Sequence, residues 1–226
     1  MRARLFCFLT CLYLLIGTRE PPWADARVMH EVAVSLVDRH RLDIELDAPA
    51  FWFSFHQGKK YGLYPMGNTL AMVPARLLYK LLVKLPHAPA IHLNILTSHL
   101  ASTVAAAACC VLFLGLLRRD GVGERAALVT SLALGTMTIL VIYARVAYSE
   151  ALQACLFVWL VSLVFRLEEA PTRARGAAAG FAAGWLVTTK AVNLVAVGVI
   201  LIYVIWRFRR QRVPATALAT AAPGEP

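Results

Sequence analysis

Runs of apolar residues recur along most of the chain, and several are long enough to cross a membrane as an α-helix. The hydrocarbon core of a bilayer takes about 20 residues of helix. The apolar runs are Leu5–Ile16, His92–Leu117, Ala126–Tyr143, Ala151–Phe165 and Gly176–Trp206. They predict an all-α integral membrane protein with about six transmembrane or half-membrane helices.

The first apolar run has two interpretations. It is short and follows Arg2 and Arg4, so it has the form of a signal-peptide core as well as that of a span. No small-x-small cleavage site follows Gly17. We therefore predict that residues 1–17 are a retained first transmembrane helix.

The last apolar run is too long for one ordinary crossing. It is interrupted near its middle by polar residues around Lys190, and the basic cluster Arg207–Arg212 follows it. A single crossing would put that cluster on the outer side, whereas two short helices with Lys190 at the turn keep it inside. We expect the hairpin, followed by a basic cytoplasmic tail over residues 208–226, of which the part beyond Val213 is a disordered tail or an unfinished loop.

Arginines at the ends of the runs predict which side of the membrane each end faces. Arg118 and Arg119 end the second run, Arg166 ends the fourth, and Arg173 and Arg175 lie in the loop that follows. Because cytoplasmic loops carry an excess of Lys and Arg, these segments are expected in the cytoplasm together with the N-terminus. Residues 18–91 then form an extracytoplasmic loop, and residues 92–207 form a transmembrane bundle.

The composition agrees with a membrane protein. The chain is 59% hydrophobic and 16% charged, with a mean hydropathy of +0.63, whereas soluble domains are about 45–50% apolar and about 25% charged. The net charge of +10 does not indicate a nucleic-acid partner, because the basic residues lie at the ends of apolar runs rather than on one face among aromatic residues. The five cysteines lie in apolar stretches and are expected to be small buried hydrophobes. An Ala- and Arg-rich chain indicates a bacterium, and hence the bacterial cytoplasmic membrane.

The extracytoplasmic loop contains two helical patterns. Apolar residues recur with helical period from Asp25 to Arg39, and a second stretch, Gly67–Leu85, has one apolar side and places Arg76, Lys80 and Lys84 four residues apart. We expect both helices to lie in the membrane interface, with the amines at headgroup level.

Asp25 lies at the start of the first of these helices. This position would put a carboxylate on the membrane-facing side, where burial raises its pKa and nearby cations lower it. The alternative is that Asp25 caps the N-terminus of the helix.

An aromatic cluster, Phe51–His56, separates the two helices and is followed by the turn Gln57–Lys60. Aromatic residues of this kind anchor proteins in the membrane interface. The second interpretation is a dock for a lipid phosphate, built from Lys59, Lys60 and the basic helix.

Four segments, in order along the chain, resemble motifs of the glycosyltransferase C superfamily. Its members include enzymes such as dolichyl-phosphate-mannose mannosyltransferases and aminoarabinose transferases, which take a sugar from a polyprenyl-phosphate carrier at the outer membrane face. The segments are Asp25–Leu42, Lys60–Asn68 with Leu70 and Pro74, Tyr143–Glu150, and Gly184–Lys190. The resemblance covers residues 19–206 and the N-terminal portion of the family only. Many members carry a pair of acids at the first motif, whereas here Ala26 follows Asp25.

The resemblance implies sugar transfer from a polyprenyl-phosphate donor to an acceptor glycan, lipid or protein. Such a reaction needs a base for the acceptor hydroxyl and positive charge near the departing phosphate. Asp25 is the candidate base. Glu150 would orient the acceptor or help to hold a divalent cation such as Mg²⁺ or Mn²⁺, or it would simply cap the fourth span.

The other residues in these segments are candidates for binding the lipid-linked donor. Arg145 and Lys190 could pair with the lipid phosphate, Lys59 and Lys60 could guide the carrier, and Tyr64 lies in the second motif. Structural alternatives are a snorkelling anchor for Lys190 and, for Arg145, a salt bridge to Glu150 or a contact with a lipid headgroup.

Two other classes of protein compete with an enzyme. A transporter would carry charges in the middle of spans and show repeated halves, and the sequence shows neither. A non-catalytic membrane scaffold or a truncated relative is the other alternative, because the family has further spans beyond those found here.

Overall fold

The computed structural model describes residues 1–211 and divides the chain into two compact units, Met1–Ala191 and a second that begins at Val192. The described residues are mostly helical. The helices are α1 (Arg2–Leu15), α2 (Ala24–Val34), α3 (Met66–Leu82), α4 (Ala90–Arg119), α5 (Glu124–Thr136), α6 (Leu140–Ala144), α7 (Glu150–Glu169), α8 (Arg173–Thr189) and α9 (Asn193–Gln211). A π-helical turn, Ser35–Arg39, continues α2, and a 3₁₀ turn, Ala50–Trp52, precedes strands β1 (Phe53–His56) and β2 (Lys59–Gly62).

Helix α4 is the centre of the first unit and packs against α1, α3, α5, α6 and α7, while α7 also packs against α8. Leu9, Tyr13, Cys110 and Leu114 are fully buried where α1 crosses α4. The Tyr13 hydroxyl donates a hydrogen bond of 2.8 Å to the carbonyl of Gly135, which satisfies a polar group that would otherwise be costly to bury. This packing joins α1, α4 and α5.

Two helices in the described part of the chain, α4 and α7, are long and apolar enough to cross a membrane. Their lengths of 30 and 20 residues correspond to about 45 and 30 Å. They support membrane association weakly, within a described structure that is mostly helical, as predicted. The predicted number of about six transmembrane or half-membrane helices stays a prediction.

Two of the apolar runs each form two helices in the structure. The third apolar run forms α5 and α6, which are separated by residues Met137–Ile139, where the Thr138 hydroxyl bonds to the carbonyl of Leu134 at 2.6 Å. The last run breaks at residues 190–192, between α8 and α9, so the predicted interruption at Lys190 is confirmed. The hairpin itself stays a prediction. Residues 208–211 of the predicted tail are helical, and the remainder lies outside the described residues.

The apolar side of α2 faces the interior of the protein, so the prediction that this side lies in the membrane interface is wrong. Val28, Met29, Val32 and Ala33 are buried inside the protein and pack against α3 and against the antiparallel pair of strands β1 and β2. Gly62 in β2 comes so close that a Cβ there would lie 2.9 Å from Cγ1 of Val28. The apolar side of α2 therefore holds the loop to the bundle instead of meeting lipid.

Helix α3 has the two-sided character that the sequence predicts. Met72 and Ala75 are buried on its inner side, whereas Leu70, Leu77 and Leu81 are exposed. An exposed row of leucines is expected where a helix meets lipid.

Candidate functional site

The four segments that resemble the glycosyltransferase motifs meet at one end of the bundle. The amide of Asn68 donates to the carbonyl of Ala147 at 3.4 Å, and the hydroxyl of Thr69 donates to the carbonyl of Met29 at 3.3 Å. The indole N–H of Trp185 donates to the carbonyl of Gly67 at 3.0 Å. The start of α3 thus contacts α2, the link between α6 and α7, and α8.

Gly67 allows the closest of these approaches. A Cβ at this position would lie 2.5 Å from the backbone nitrogen of Thr189 and 2.6 Å from its hydroxyl oxygen. No side chain fits at such a distance, so the start of α3 can touch the end of α8 only because residue 67 is glycine. This contact places the segment around Lys190 beside the loop.

Helix α4 holds the link between α6 and α7 by two hydrogen bonds. The hydroxyl of Thr103 donates to the carbonyl of Ala144 at 2.9 Å, and that of Ser102 donates to the carbonyl of Tyr148 at 3.0 Å. Both hydroxyl-bearing residues are buried. They satisfy the carbonyl of the last residue of α6 and that of Tyr148 in the link, and so position Glu150, the first residue of α7.

Lys190 and Glu150 form an ion pair at this end of the bundle. The Lys190 Nζ lies 3.1 Å from Oε1 of Glu150. The other carboxylate oxygen, Oε2, is buried and has no hydrogen-bond partner within residues 1–211. The pair takes the place of the salt bridge between Arg145 and Glu150 that was one alternative from the sequence. The Lys190 amine is therefore bound to protein, and the alternative of a snorkelling anchor stays untested.

Asp25 lies in the first turn of α2, but it does not cap the helix. The N-cap is Trp23, and the Asp25 carboxylate accepts the adjacent N–H of Ala26, at 3.0 Å. Ala24, directly before it, has φ +48°, a left-handed conformation that costs free energy for a residue with a Cβ. Such strain is often found at functional sites.

Burial raises the pKa of the half-buried Asp25 carboxyl, while the N–H of Ala26 works against this. The Glu150 carboxylate raises the same pKa and the Lys190 ammonium lowers it. The three charged groups therefore act on one another, as a base and its electrostatic neighbours do in many active sites.

Two tyrosines belong to the same group of side chains. Burial raises the pKa of Tyr64, and the charge of Asp25 raises it further. Burial also raises the pKa of Tyr148, followed by the charges of Asp25 and Glu150. Both phenols stay protonated at neutral pH and can donate hydrogen bonds. The sequence singled out Tyr64 but missed Tyr148, although Tyr148 lies within the third motif.

A cavity of about 230 Å³ lies beside the start of α2 and is lined by Trp23, Ala26, His99 and Tyr148, among others. The His99 ring is buried, and its Nε2 lies 3.1 Å from the carbonyl of Glu20. A carbonyl only accepts, so Nε2 carries the proton and Nδ1 is left as an acceptor in the neutral ring. This Nδ1 is buried without a partner in the described part of the chain.

The structure does not bring Lys59 and Lys60 into this group. They line a separate surface groove with Asp43, Glu45 and Asp47. The Lys60 ammonium donates to the carbonyl of Leu46 at 3.3 Å and lies 5.6 Å from the centre of the Phe53 ring. Acidic neighbours make this groove a poor dock for a phosphate.

The basic side of α3 is also occupied by protein. Arg76 pairs with Asp38 and donates to Oδ1 of Asn94 at 2.9 Å, and Lys80 lies 3.7 Å from Asp38. Burial opposes ionisation of Asp38, yet the hydrogen bonds and charge of Arg76, with Lys80, lower its pKa. Arg76 and Lys80 are therefore paired within the protein, and their position at headgroup level stays a prediction.

Arg145 remains available to a ligand. Its side chain is exposed and forms no ion pair with residues 1–211. It lies in the link between α6 and α7 that also carries Tyr148 and leads to Glu150.

Within the described range, no group of three or more His, Cys, Asp or Glu side chains is placed to hold a metal ion. The divalent cation at Glu150 stays a prediction, and oxygens of a substrate phosphate would have to complete its coordination. Comparison with protein-family models, with curated proteins and with solved structures gave no match.

Proposed function

We propose that this protein is a membrane glycosyltransferase that moves a sugar from a polyprenyl-phosphate donor to an acceptor at the outer face of the membrane. The observation that carries the proposal is the meeting of Asp25, Glu150 and Lys190 at one end of a helical bundle, although they lie on three different elements. A carboxylate with a raised pKa can take the proton of the acceptor hydroxyl, and a lysine beside it can offset the charge of the departing phosphate.

Asp25 acts as the base in this proposal. The bond between the sugar C1 and the phosphate oxygen breaks, the acceptor oxygen bonds to C1, and the hydroxyl proton passes to the Asp25 carboxylate. Lys190 and the exposed Arg145 offset the negative charge of the departing polyprenyl phosphate. Glu150 holds Lys190 until the donor arrives.

The cavity beside α2 suits a hydroxyl-bearing acceptor. The buried Nδ1 of His99 lacks a donor among residues 1–211, and a hydroxyl group of the acceptor would supply one. Tyr148, which also lines the cavity, can donate to a second oxygen. The cavity neighbours Asp25 through Ala26, so an acceptor there would lie close to the proposed base.

The proposed placement in the membrane follows the charge distribution. Helices α4 and α7 would span the bilayer, with the arginines at their C-terminal ends in the cytoplasm and the site at the outer face. The shorter α1, α5, α8 and α9 would act as shorter or half-membrane helices, giving the multi-pass topology that the sequence predicts.

One observation favours a transporter as the second candidate. Helix α8 ends beside the Lys190–Glu150 ion pair and the chain is interrupted there before α9, and interrupted helices with charges at the break are common at transport sites.

Both candidates can be tested with the purified protein in proteoliposomes. We expect that a panel of polyprenyl-phosphate sugars will include one that is consumed with release of polyprenyl phosphate, when membrane lipids, glycans and proteins are offered as acceptors. Lipid-linked sugar profiling in a deletion strain would identify the donor independently. Uptake of a solute without any release of polyprenyl phosphate would instead support the transporter.

Substitutions of the two charged neighbours of Asp25, Lys190 and Glu150, should shift the pH dependence of transfer in opposite directions. Because Asp25 must be deprotonated to act as a base, activity falls as the pH drops through its raised pKa. Lys190→Met removes a charge that lowers this pKa, so the acid limb should move to higher pH. Glu150→Gln removes a charge that raises it, so the limb should move to lower pH. Rates of each variant, normalised to its own maximum, give the two limbs, and shifts in the same direction would contradict the assignment.

A further inference from the structure

Another pocket lies at the other end of the bundle from the candidate site. It has a volume of about 290 Å³ and is built from α1, α4 and α7. Its charged lining consists of Arg2, Arg119, Arg166 and Glu169. Three guanidinium groups against one carboxylate make the pocket cationic.

Among the residues that the structure describes, one of the three arginines has an acidic partner. The Arg119 Nε lies 2.8 Å from Oε1 of Glu169, and its guanidinium lies 4.3 Å from the centre of the Phe165 ring. Arg2 and Arg166 are exposed and form no ion pair with another described residue. Two guanidinium groups are therefore left to bind an anion, for which their planar, five-donor geometry suits a phosphate.

An apolar groove continues from this pocket along the bundle. It has a volume of about 410 Å³, is almost entirely apolar and shares Arg2, Val111 and Leu112 with the cationic pocket. Its other lining residues include Phe6, Cys7, Ala108, Cys155 and Trp159. The cationic pocket can hold the anionic headgroup of a phospholipid, and the apolar groove that continues from it can hold the acyl chain.

The position of the pocket agrees with the edge of a bilayer. Glu150 begins α7 and Arg166 lies 16 residues later in the same helix, which corresponds to about 24 Å along the axis. This distance approaches the thickness of about 30 Å of a hydrocarbon core. The pocket and the candidate site therefore lie where the two headgroup layers would be if α7 crosses the membrane.

We propose that the pocket binds an anionic phospholipid, whose phosphate is held by Arg2 and Arg166 and whose acyl chain lies in the groove beside Trp159. Basic pockets between membrane helices commonly select anionic headgroups. A free phosphate would use the arginines but would leave the groove without an occupant. The proposal is independent of glycosyl transfer, because it involves none of the residues of the candidate site.

Binding of phosphatidylglycerol to the full-length protein in neutral maltoside micelles tests this proposal. The double variant R2Q/R166Q should lower the affinity by about tenfold or more, since each basic residue beside an anionic lipid contributes roughly fivefold. The matched control is R4Q/R125Q, which removes two exposed arginines that line neither the pocket nor the groove. The control should retain the wild-type affinity within about threefold, and phosphatidylcholine should bind weakly to all three proteins.

Brominated acyl chains test the groove separately from the charge. Brominated phosphatidylglycerol should quench the Trp159 emission, measured as the difference between the wild-type protein and Trp159→Phe. Equal losses of affinity in both double variants would show diffuse surface charge and overturn the proposal. Complete displacement of the lipid by millimolar inorganic phosphate, or binding without quenching of Trp159, would reduce the site to a simple anion site and overturn it as well.

Discussion

Asp25→Asn is expected to lower the rate of sugar transfer by about 10²–10⁴-fold, the usual contribution of a general base. Asparagine has nearly the same shape as aspartate and can still accept the N–H of Ala26, so the fold and membrane insertion should be unchanged. The carboxylate that takes the proton is lost, and the group that replaces it cannot be protonated in the working pH range. The measurement is the initial rate of polyprenyl phosphate release by the purified variant in proteoliposomes.

Asp47→Asn is the matched control for this substitution. Asp47 is an exposed acid in the same loop, and it lines the groove with Lys59 rather than the candidate site. We expect it to transfer sugar at the wild-type rate. Turnover by Asp25→Asn close to that of the wild type would exclude Asp25 as the base, and an equal loss in both variants would show that the loop needs its overall charge and not one carboxylate.

Gly67→Ala should destabilise the protein and reduce activity together. The new methyl group would meet the backbone of Thr189 at 2.5 Å, and backbone cannot move aside as the end of a flexible side chain can. Overpacking of this kind costs about 1–3 kcal/mol. Because the contact positions the segment that carries Lys190, we expect the transfer rate to fall even at temperatures where the variant stays folded. Thermal unfolding in detergent and the rate at low temperature measure the two effects.

Gly180→Ala makes the same change in α8, where nothing lies within 4 Å of the added Cβ. Alanine is the better helix former by up to about 1 kcal/mol, so this variant should be as stable as the wild type or slightly more stable. A wild-type melting temperature for Gly67→Ala would mean that α3 and α8 do not approach as closely as described.

The helices that the sequence predicts well are those set by the length of an apolar run. The run His92–Leu117 became α4, and Ala151–Phe165 became α7, each extended by one to four residues at either end. The interruption at Lys190 was also predictable, because polar residues in the middle of an apolar run are costly to bury. The break at Met137–Ile139 was not, since a single threonine that bonds to the carbonyl four residues earlier, as Thr138 does, usually bends a helix without interrupting it.

Periodicity predicted which side of α2 is apolar but not what covers that side. Val28 and Val32 meet β2 at Gly62, and the strands themselves were missed because Phe51–His56 has the composition of an interfacial anchor as well as that of a strand. The same limit applies to the site. The sequence singled out Asp25, Glu150, Lys190 and Tyr64 as site candidates, and the structure places them near one another. Lys59 and Lys60 lie in another groove, because nothing local shows that the acids of the segment 43–47 line it with them.

The hydrogen bonds that assemble the candidate site also determine when it can form during synthesis. Thr69 bonds to Met29 across 40 residues, Asn68 to Ala147 across 79, and Trp185 to Gly67 across 118. Contacts between residues so far apart in sequence carry a large loop-closure cost and form slowly. When the first half of the chain has been synthesised, the loop of residues 18–91 is present, but its partners Ala147 and Trp185 have not yet been made. The site is completed only when α8 has emerged, so the enzyme we propose would be inactive until nearly all of residues 1–191 have been inserted and packed.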